Sequence, residues 1–243
     1  MITLWIPAAE QPRWACVLSW WALKTPNDEK LHLYRSGANN PKYTWNRAVQ
    51  DFLKTDDEWL LSVHNDVVLD PDTLLRLLSW DKPLVSALIF MRQSPVVPHT
   101  WKKYPDGNVY AHRIADTRKW FFDHPEYIKF GAFTMQPRPD DALAEISFTS
   151  TSCTLIHRTV LEGMREMVKD VWFLMDDDYT GGGEDRRFYE FAALAGFPAY
   201  QDRSAVVGHL VGDIPTSSAD FIAWDSISVF HKTGEPESPE GKL

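Results

Sequence analysis

Cysteine is scarce: Cys16 and Cys153 are the only two among 243 residues. That is too few for a disulfide framework or a cysteine-rich zinc site, and the usage fits a reducing compartment, so the cytoplasm is the expected location. Long apolar runs are missing as well. No stretch approaches the ~20 apolar residues of a membrane span. Met1 to Pro7 is apolar only briefly and carries no basic leader, so a soluble, unexported chain is expected. An excess of positive charge is also absent, with 25 Lys and Arg against 34 Asp and Glu, a formal net charge of -9. This disfavours a broadly basic nucleic-acid surface. Lys102, Lys103, Arg113, Arg118 and Lys119 still form a basic interval, which reads either as a phosphate contact or as a solvated face. Tryptophan, by contrast, is plentiful at 11 residues. Most should fill the core, and some are free to stack on sugar rings or bases.

The length suits one large domain with a substantial core. Ile2 to Pro7 reads as a strand, Trp14 to Leu23 as a helix, Leu31 to Tyr34 as a strand and Trp45 to Leu53 as an amphipathic helix. Glu58 to Val63 is nearly continuous apolar sequence, as expected of a central parallel strand covered on both faces. Pro71 opens a helix over about Asp72 to Trp80, and Leu84 to Phe90 returns as a strand. Alternating strands and helices imply an α/β fold with a mostly parallel sheet flanked by helices. From Met91 to Ala142 prolines interrupt any periodicity, and loops with short strands are expected. Ile146 to Ile156 reads as a strand whose Thr149-Ser150-Thr151-Ser152 stretch offers hydroxyls to a site, and Arg158 to Val168 as a helix. Ala199-Tyr200 and Ala205 to Val207 read as short strands, and the Pro-, Gly- and Glu-rich tail after Lys232 as disordered. The chain divides into a domain over 1–232, with halves of about 1–92 and 93–232, and a tail over 233–243.

Polar chemistry begins where the clearest strand ends, at His64-Asn65-Asp66. Ligands of open α/β sheets bind beyond the carboxyl ends of the strands, so this is the right place for a site. Asp66 is a hard oxygen ligand suited to magnesium or manganese, and His64 either ligates or hydrogen-bonds. Asp70 and Asp72 are assigned to the turn and helix cap around Pro71. A second acidic run, Asp176-Asp177-Asp178, lacks a strand behind it and reads as a solvated or lid-like segment. Gly181-Gly182-Gly183-Glu184-Asp185 then places two acids where a glycine loop, open to close backbone approach, meets a helix running from Glu184 to Leu194. Asp185 falls in the first turn, where the helix dipole favours a carboxylate, serving as a cap or as a proton acceptor. His209, after a Val-Val-Gly strand end, is either structural or a ligand.

In this order the motifs resemble the GT-A glycosyltransferases, particularly the nucleotide-sugar-dependent family 2 type, from about Ile2 to Leu210. His64-Asn65-Asp66 looks like that family's Asp-x-Asp with His in the first position, and Gly183-Glu184-Asp185-Arg186-Arg187-Phe188 like its Gly-Glu-Asp-x-x-Phe. Gly208-His209-Leu210 looks like its metal-ligating histidine, and Asn46-Arg47-Ala48 like a helix start near the nucleotide. Thr151 and Ser152 stand where relatives carry glycines, which implies a different acceptor pocket.

The resemblance implies a GT-A type, Rossmann-like fold and sugar transfer from a nucleoside diphosphate-sugar to an acceptor hydroxyl, with inversion. Mn2+ or Mg2+ would be held by Asp66, His209 and His64, and the donor would be contacted by Pro7, Arg35, Asn46, Asn65 and Asp66. Asp185 would be the general base and Glu184 an acceptor contact. An unperturbed aspartate is already ionised at neutral pH, so the base is expected to need placement more than a shifted pKa. A glycan or lipid-linked sugar is the expected acceptor, and a modified DNA base a rarer one. Two other readings stand beside this. A nucleotidyltransferase would usually carry a glycine-rich basic loop after the first strand, where Ala8-Ala9-Glu10-Gln11-Pro12 has none. A non-catalytic carbohydrate- or nucleotide-binding module would use the tryptophans as platforms and the acids as caps.

Overall fold

A computed structural model of the chain describes residues 1–7, 12–28, 31–36, 41–91, 96–103, 109–111, 114–128, 138–174, 183–211 and 214–223. Its elements are β1 (Ile2–Pro7), α1 (Trp14–Trp21), β2 (Leu31–Ser36), α2 (Pro41–Phe52), β3 (Trp59–Val63), β4 (Val67–Val68), α3 (Thr73–Leu78) and β5 (Leu84–Ile89). There follow β6 (Thr100–Lys103), β7 (Val109–Ala111), α4 (Ile114–Asp123), β8 (Leu143–Ile146), β9 (Phe148–Thr149), β10 (Cys153–His157), α5 (Arg158–Val168), α6 (Glu184–Leu194), β11 (Ala199–Val211) and β12 (Ile214–Thr216). The main sheet has the order β12-β11-β5-β10-β3-β1-β2. Strands β11, β5, β3, β1 and β2 run one way, and β10 is inserted against them between β3 and β5. A separate three-stranded sheet has the order β7-β6-β9.

Strand alternation sorts the core into two layers. Leu4, Ile6, Leu61, Val63 and Leu155 point to one face, where Cys16 and Trp20 of α1 and Leu74 and Leu77 of α3 cover them. Trp5, Leu60 and Ile156 point to the other, covered by α2, α5 and α6 through Trp45, Val49, Leu161, Met164 and Phe188. Both cysteines are buried free thiols, and burial pushes each up to about 12. They therefore act as small apolar groups and take no part in chemistry at neutral pH.

Three segments differ from the sequence reading. The stretch Ile146 to Ile156 is three strands, because Ser147 and Ser150 to Ser152 turn the backbone between β8, β9 and β10. Ala199 to Val211 is one long strand in place of two short ones. Its polar middle forms a bulge between Asp202 and Val206, where Asp202 Oδ1 accepts from the backbone N–H groups of Ser204 at 2.8 Å and Ala205 at 3.3 Å. The other oxygen, Oδ2, accepts from Trp80 Nε1 at 2.8 Å, so a buried acid in a strand is fully used. The proline-interrupted middle contains a helix, α4, whose Trp120 and Phe121 pack with Phe90 and Phe221 in a third cluster. The Asp176 to Asp178 run, Gly181, Gly182 and the tail lie outside the described residues.

Candidate active site

The site forms at the carboxyl edge of β3. Because β10 is antiparallel to β3 with Cys153 opposite Val63, the turn leading into β10 lies beside the turn leaving β3. The His64 N–H donates to the Ser152 carbonyl at 3.0 Å, and Ser62 Oγ donates to the Thr151 carbonyl at 2.8 Å. Residues 150 to 152 are thereby pinned against His64, and all three are buried.

Asp66 meets His209 through strand pairing. After its bulge, β11 runs antiparallel to β4, with His209 opposite Val67 and Gly208 opposite Val68. The Leu210 N–H donates to the Asp66 carbonyl at 2.9 Å. This sets His209 Nε2 3.4 Å from Asp66 Oδ2. His209 Nδ1 lies 3.0 Å from the Phe90 carbonyl, which only accepts, so Nδ1 carries a proton and Nε2 is the atom turned to the carboxylate. A second ring proton or a cation between Nε2 and the carboxylate oxygen would join the two. A histidine whose far nitrogen donates to a carbonyl is also the arrangement that orients metal-ligating imidazoles. Next to this pair is His99, which sequence reasoning missed. Burial, followed by the charge of His209, pulls His99 down to about 4, so it stays neutral there.

His64 Nδ1 lies 3.0 Å from Ser152 Oγ, and its ring is tilted against Trp45 at 5.5 Å, which sets it against the hydroxyl turn and an indole. Among the described residues no three His, Cys, Asp or Glu side chains converge as a metal cluster. Asp66 and His209 stand 3.4 Å apart at this edge. Asn65 lies in the turn between β3 and β4.

Asp185 is held from the other side. Its helix, α6, is fastened by Phe188, stacked on Phe173 at 4.7 Å, and by Tyr189, whose hydroxyl lies 3.0 Å from Thr154 Oγ1. Arg186 and Arg187 both pair with Glu190, at 2.8 and 2.9 Å, along the helix. Thr151 Oγ1 donates to Asp185 Oδ1 at 2.5 Å. Ser150 hydrogen-bonds with Ser152 and also lends a hydrogen bond to Asp185. The 150 to 152 turn therefore touches His64 at one end and Asp185 at the other.

Asp185 is not the unperturbed carboxylate that its sequence suggested. Burial, then the neighbouring charge of Glu184, pushes it up to about 7, against the lowering effect of hydrogen bonds from Thr151 and Ser150. The residue as a whole is only half-buried, but its carboxyl group is enclosed, and that group governs its ionisation. The glycine argument also changes. Gly183 caps α6 at an ordinary φ of -71°, and a Cβ there would meet nothing within 4 Å, so this glycine is not required by the backbone or by space.

Other expected contacts fall as follows. The Asn46 amide is spent on the backbone of Phe173, donating to its carbonyl at 2.8 Å and accepting from its N–H at 3.0 Å. Asn46 thus fixes the segment that carries Phe173, on which Phe188 and α6 rest. Pro7 ends β1 and Arg35 stands one residue before the end of β2 at the same edge of the sheet, and their side chains lie outside the described residues. In the basic interval, Lys102 reaches the Glu145 carbonyl at 3.4 Å and Lys119 pairs with Asp123 at 2.8 Å. Arg113 and the Lys103 side chain lie outside the described residues.

No protein-family model matches the chain, and no curated protein matches it in sequence. Among solved structures it is similar to A197 from STIV, with 16% identity and a TM-score of 0.52 over 87% of this chain and 86% of that one. It is also similar to GalNAc-T7, crystallised with UDP, GalNAc and Mn2+, with 10% identity and a TM-score of 0.51 over 92% of this chain. The chain spans 47% of that larger protein. These likenesses show the fold, a mixed α/β architecture with a mostly parallel central sheet flanked by helices. No helix among the described residues is long and apolar enough to cross a membrane.

Proposed function

We propose that the chain is a glycosyltransferase that moves a sugar from a nucleoside diphosphate-sugar to an acceptor hydroxyl with inversion at the anomeric carbon. The observation that carries this reading is the register of β4 on β11, which aims His209 Nε2 at Asp66 beside the carboxyl end of β3. One carboxylate and one imidazole suit a Mg2+ or Mn2+ ion that keeps its other positions for diphosphate oxygens and water. Such an ion, when bound, neutralises charge on the departing diphosphate. Asp66 and His209 would hold it, and His64, tied to Ser152, would keep the hydroxyl turn in place beside them.

Asp185 takes the acceptor's proton as its oxygen attacks. A carboxylate raised to about 7 is a stronger base than an exposed one, yet about half ionised at neutral pH, which is the compromise general-base catalysis favours. Glu184, beside it in the first turn of α6, contacts the acceptor and keeps the Asp185 proton affinity high. A glycan or lipid-linked sugar fits the acceptor side better than DNA, because Lys102 and Lys119 are engaged with protein groups.

The test is a thermal-shift panel of nucleoside diphosphates and their sugars, with and without Mn2+, followed by assay of diphosphate release. One nucleotide should stabilise the protein by about 3 kcal/mol at a hundredfold excess over its Kd, in a manganese-dependent way. Absence of any nucleotide response would overturn the reading in favour of a module that binds no donor.

A further inference from the structure

Thr151 and Ser152 stand where the resemblance implies glycines, so the hydroxyls of this turn are the chain's own. Ser150, Thr151 and Ser152 are all buried, and protein donors occupy all three of their carbonyls. Thr154 Oγ1 donates to that of Ser150 at 3.4 Å, Ser62 Oγ to that of Thr151 at 2.8 Å and the His64 N–H to that of Ser152 at 3.0 Å. A turn fastened at every carbonyl holds its side chains in one arrangement.

Counting hydrogens gives that arrangement a direction. A hydroxyl has one hydrogen to donate, and an ionised carboxylate has none. The hydrogen between Ser150 and an ionised Asp185 therefore belongs to Ser150. In the contact between the two serine hydroxyls, the hydrogen must then come from Ser152. The Ser152 N–H also donates to Ser150 Oγ, at 3.2 Å, so that oxygen already serves as an acceptor. With the Ser152 hydrogen spent, its 3.0 Å contact with His64 is made by a hydrogen on Nδ1 of the ring. The donors thus run in one line, from His64 to Ser152 to Ser150 to Asp185, and Thr151 donates to the same carboxylate beside them. Buried bonds in a line polarise one another, so each link strengthens the next.

The line works against the rest of the surroundings of Asp185. Burial and then Glu184, on the same helix, favour the neutral acid, while Tyr189 of that helix, its phenol raised by burial, stays neutral itself. The turn packed against α6 brings hydroxyls and no charge, and donors aimed at a carboxylate favour its ionised form. Histidine at position 64 fits this task where the first carboxylate of an Asp-x-Asp motif does not, because an ionised aspartate has no hydrogen to start the line.

We propose that His64 is a positioning residue for Asp185: through Ser152 and Ser150, its Nδ1–H fixes the direction of the hydroxyl line and keeps the carboxylate form of the base available. The inference rests on the reading of Asp185 as the base of sugar transfer. Its test reads protonation, not turnover.

In the full chain, aspartate carboxyl carbons would be labelled with 13C and histidine nitrogens with 15N. The Asp185 signal, identified by its loss in Asp185→Asn, is then followed against pH. Above its midpoint, His64 Nδ1 should carry a proton. Ser150→Ala should raise the midpoint by roughly one pH unit, the worth of one bond to a charged group. Ser152→Ala and His64→Phe leave Ser150 in place and remove only the polarisation behind it, so each should raise the midpoint by roughly 0.3 of a unit. His64→Asn, whose amide again offers a hydrogen to Ser152, should bring the midpoint back. A His64 that only packs against Trp45 would give another result, with the phenylalanine variant unmoved. Nδ1 without a proton above the midpoint, or an unmoved midpoint in both Ser152→Ala and His64→Phe, would overturn the proposal. The nucleotide panel judges sugar transfer separately: it can fail while these midpoints shift as expected, and the midpoints can stay flat in a protein that binds its donor.

Discussion

The Asp66 and Asp185 ends of the site hold their acids in opposite ways. Asp66 is placed by backbone: a two-residue strand, β4, is locked to β11, and the carboxylate faces an oriented imidazole at 3.4 Å. Asp185 is placed by side chains, with Thr151 and Ser150 reaching its enclosed carboxyl group from the turn before β10. The first arrangement leaves a negative charge that a cation would complete. The second raises the proton affinity of a carboxylate until it exchanges protons near neutrality. On the proposed function one end would accept charge from a ligand and the other a proton, the two tasks that a displacement at an anomeric carbon sets.

Asp185→Asn should break the comparison most severely. Removing the base should lower transfer by roughly 10²- to 10⁴-fold while donor binding persists. The same variant should be more stable than wild type in alkaline buffer. The folded pKa, about 7, lies above the ordinary 3.8, so the folded state binds more protons than the unfolded state between those values. Stability therefore falls as pH rises from about 4 to 7, by up to about 1.4 kcal/mol per pH unit, and asparagine escapes that loss. Melting curves at pH 5 and pH 8 check this: the advantage of the variant should grow with pH. A flat, near-zero difference would make Asp185 an ordinary helix cap.

Asp66→Asn and His209→Ala probe the other end. Each should abolish the manganese-dependent part of the nucleotide thermal shift and reduce transfer by roughly 10²-fold, the scale of the charge stabilisation a metal supplies. Neither should move the pH midpoint set by Asp185. Retained manganese dependence in both variants would show that the cation is held elsewhere.

The two ends were unequally legible in the sequence. Strand-end logic placed Asp66 just past the end of β3, where it stands, because an apolar run stopping at a polar triplet is a local signal. Helix α5 and strand β5 were equally legible from their apolar patterns. The meeting of Asp66 with His209 was not, since it depends on a register between segments distant in the chain. That register depends in turn on a bulge whose polar residues, Asp202 and Ser204, made one strand read as two. The position of Asp185 in a first helical turn was readable, but its proton affinity was not. Enclosure by α6 and the hydroxyl turn is a tertiary effect, and no residue next to Asp185 except Glu184 announces it.

The finest distinction between the ends rests on Thr151. Thr151→Val keeps the shape of the side chain and removes the hydroxyl that donates to Asp185 at 2.5 Å, one of the bonds that lower its pKa. Loss of that bond lets burial and Glu184 push the group higher still. A rise of about one pH unit from about 7 would cut the ionised fraction at pH 7 from about one half to about one tenth, a roughly fivefold loss of transfer. The loss should vanish at higher pH, so the pH-rate midpoint moves up while the plateau stays. Thr151→Ser, which restores a hydroxyl, should return the midpoint. A merely structural threonine would behave differently: its removal would lower the plateau and leave the midpoint in place. That result would mean that burial alone sets the proton affinity at the Asp185 end.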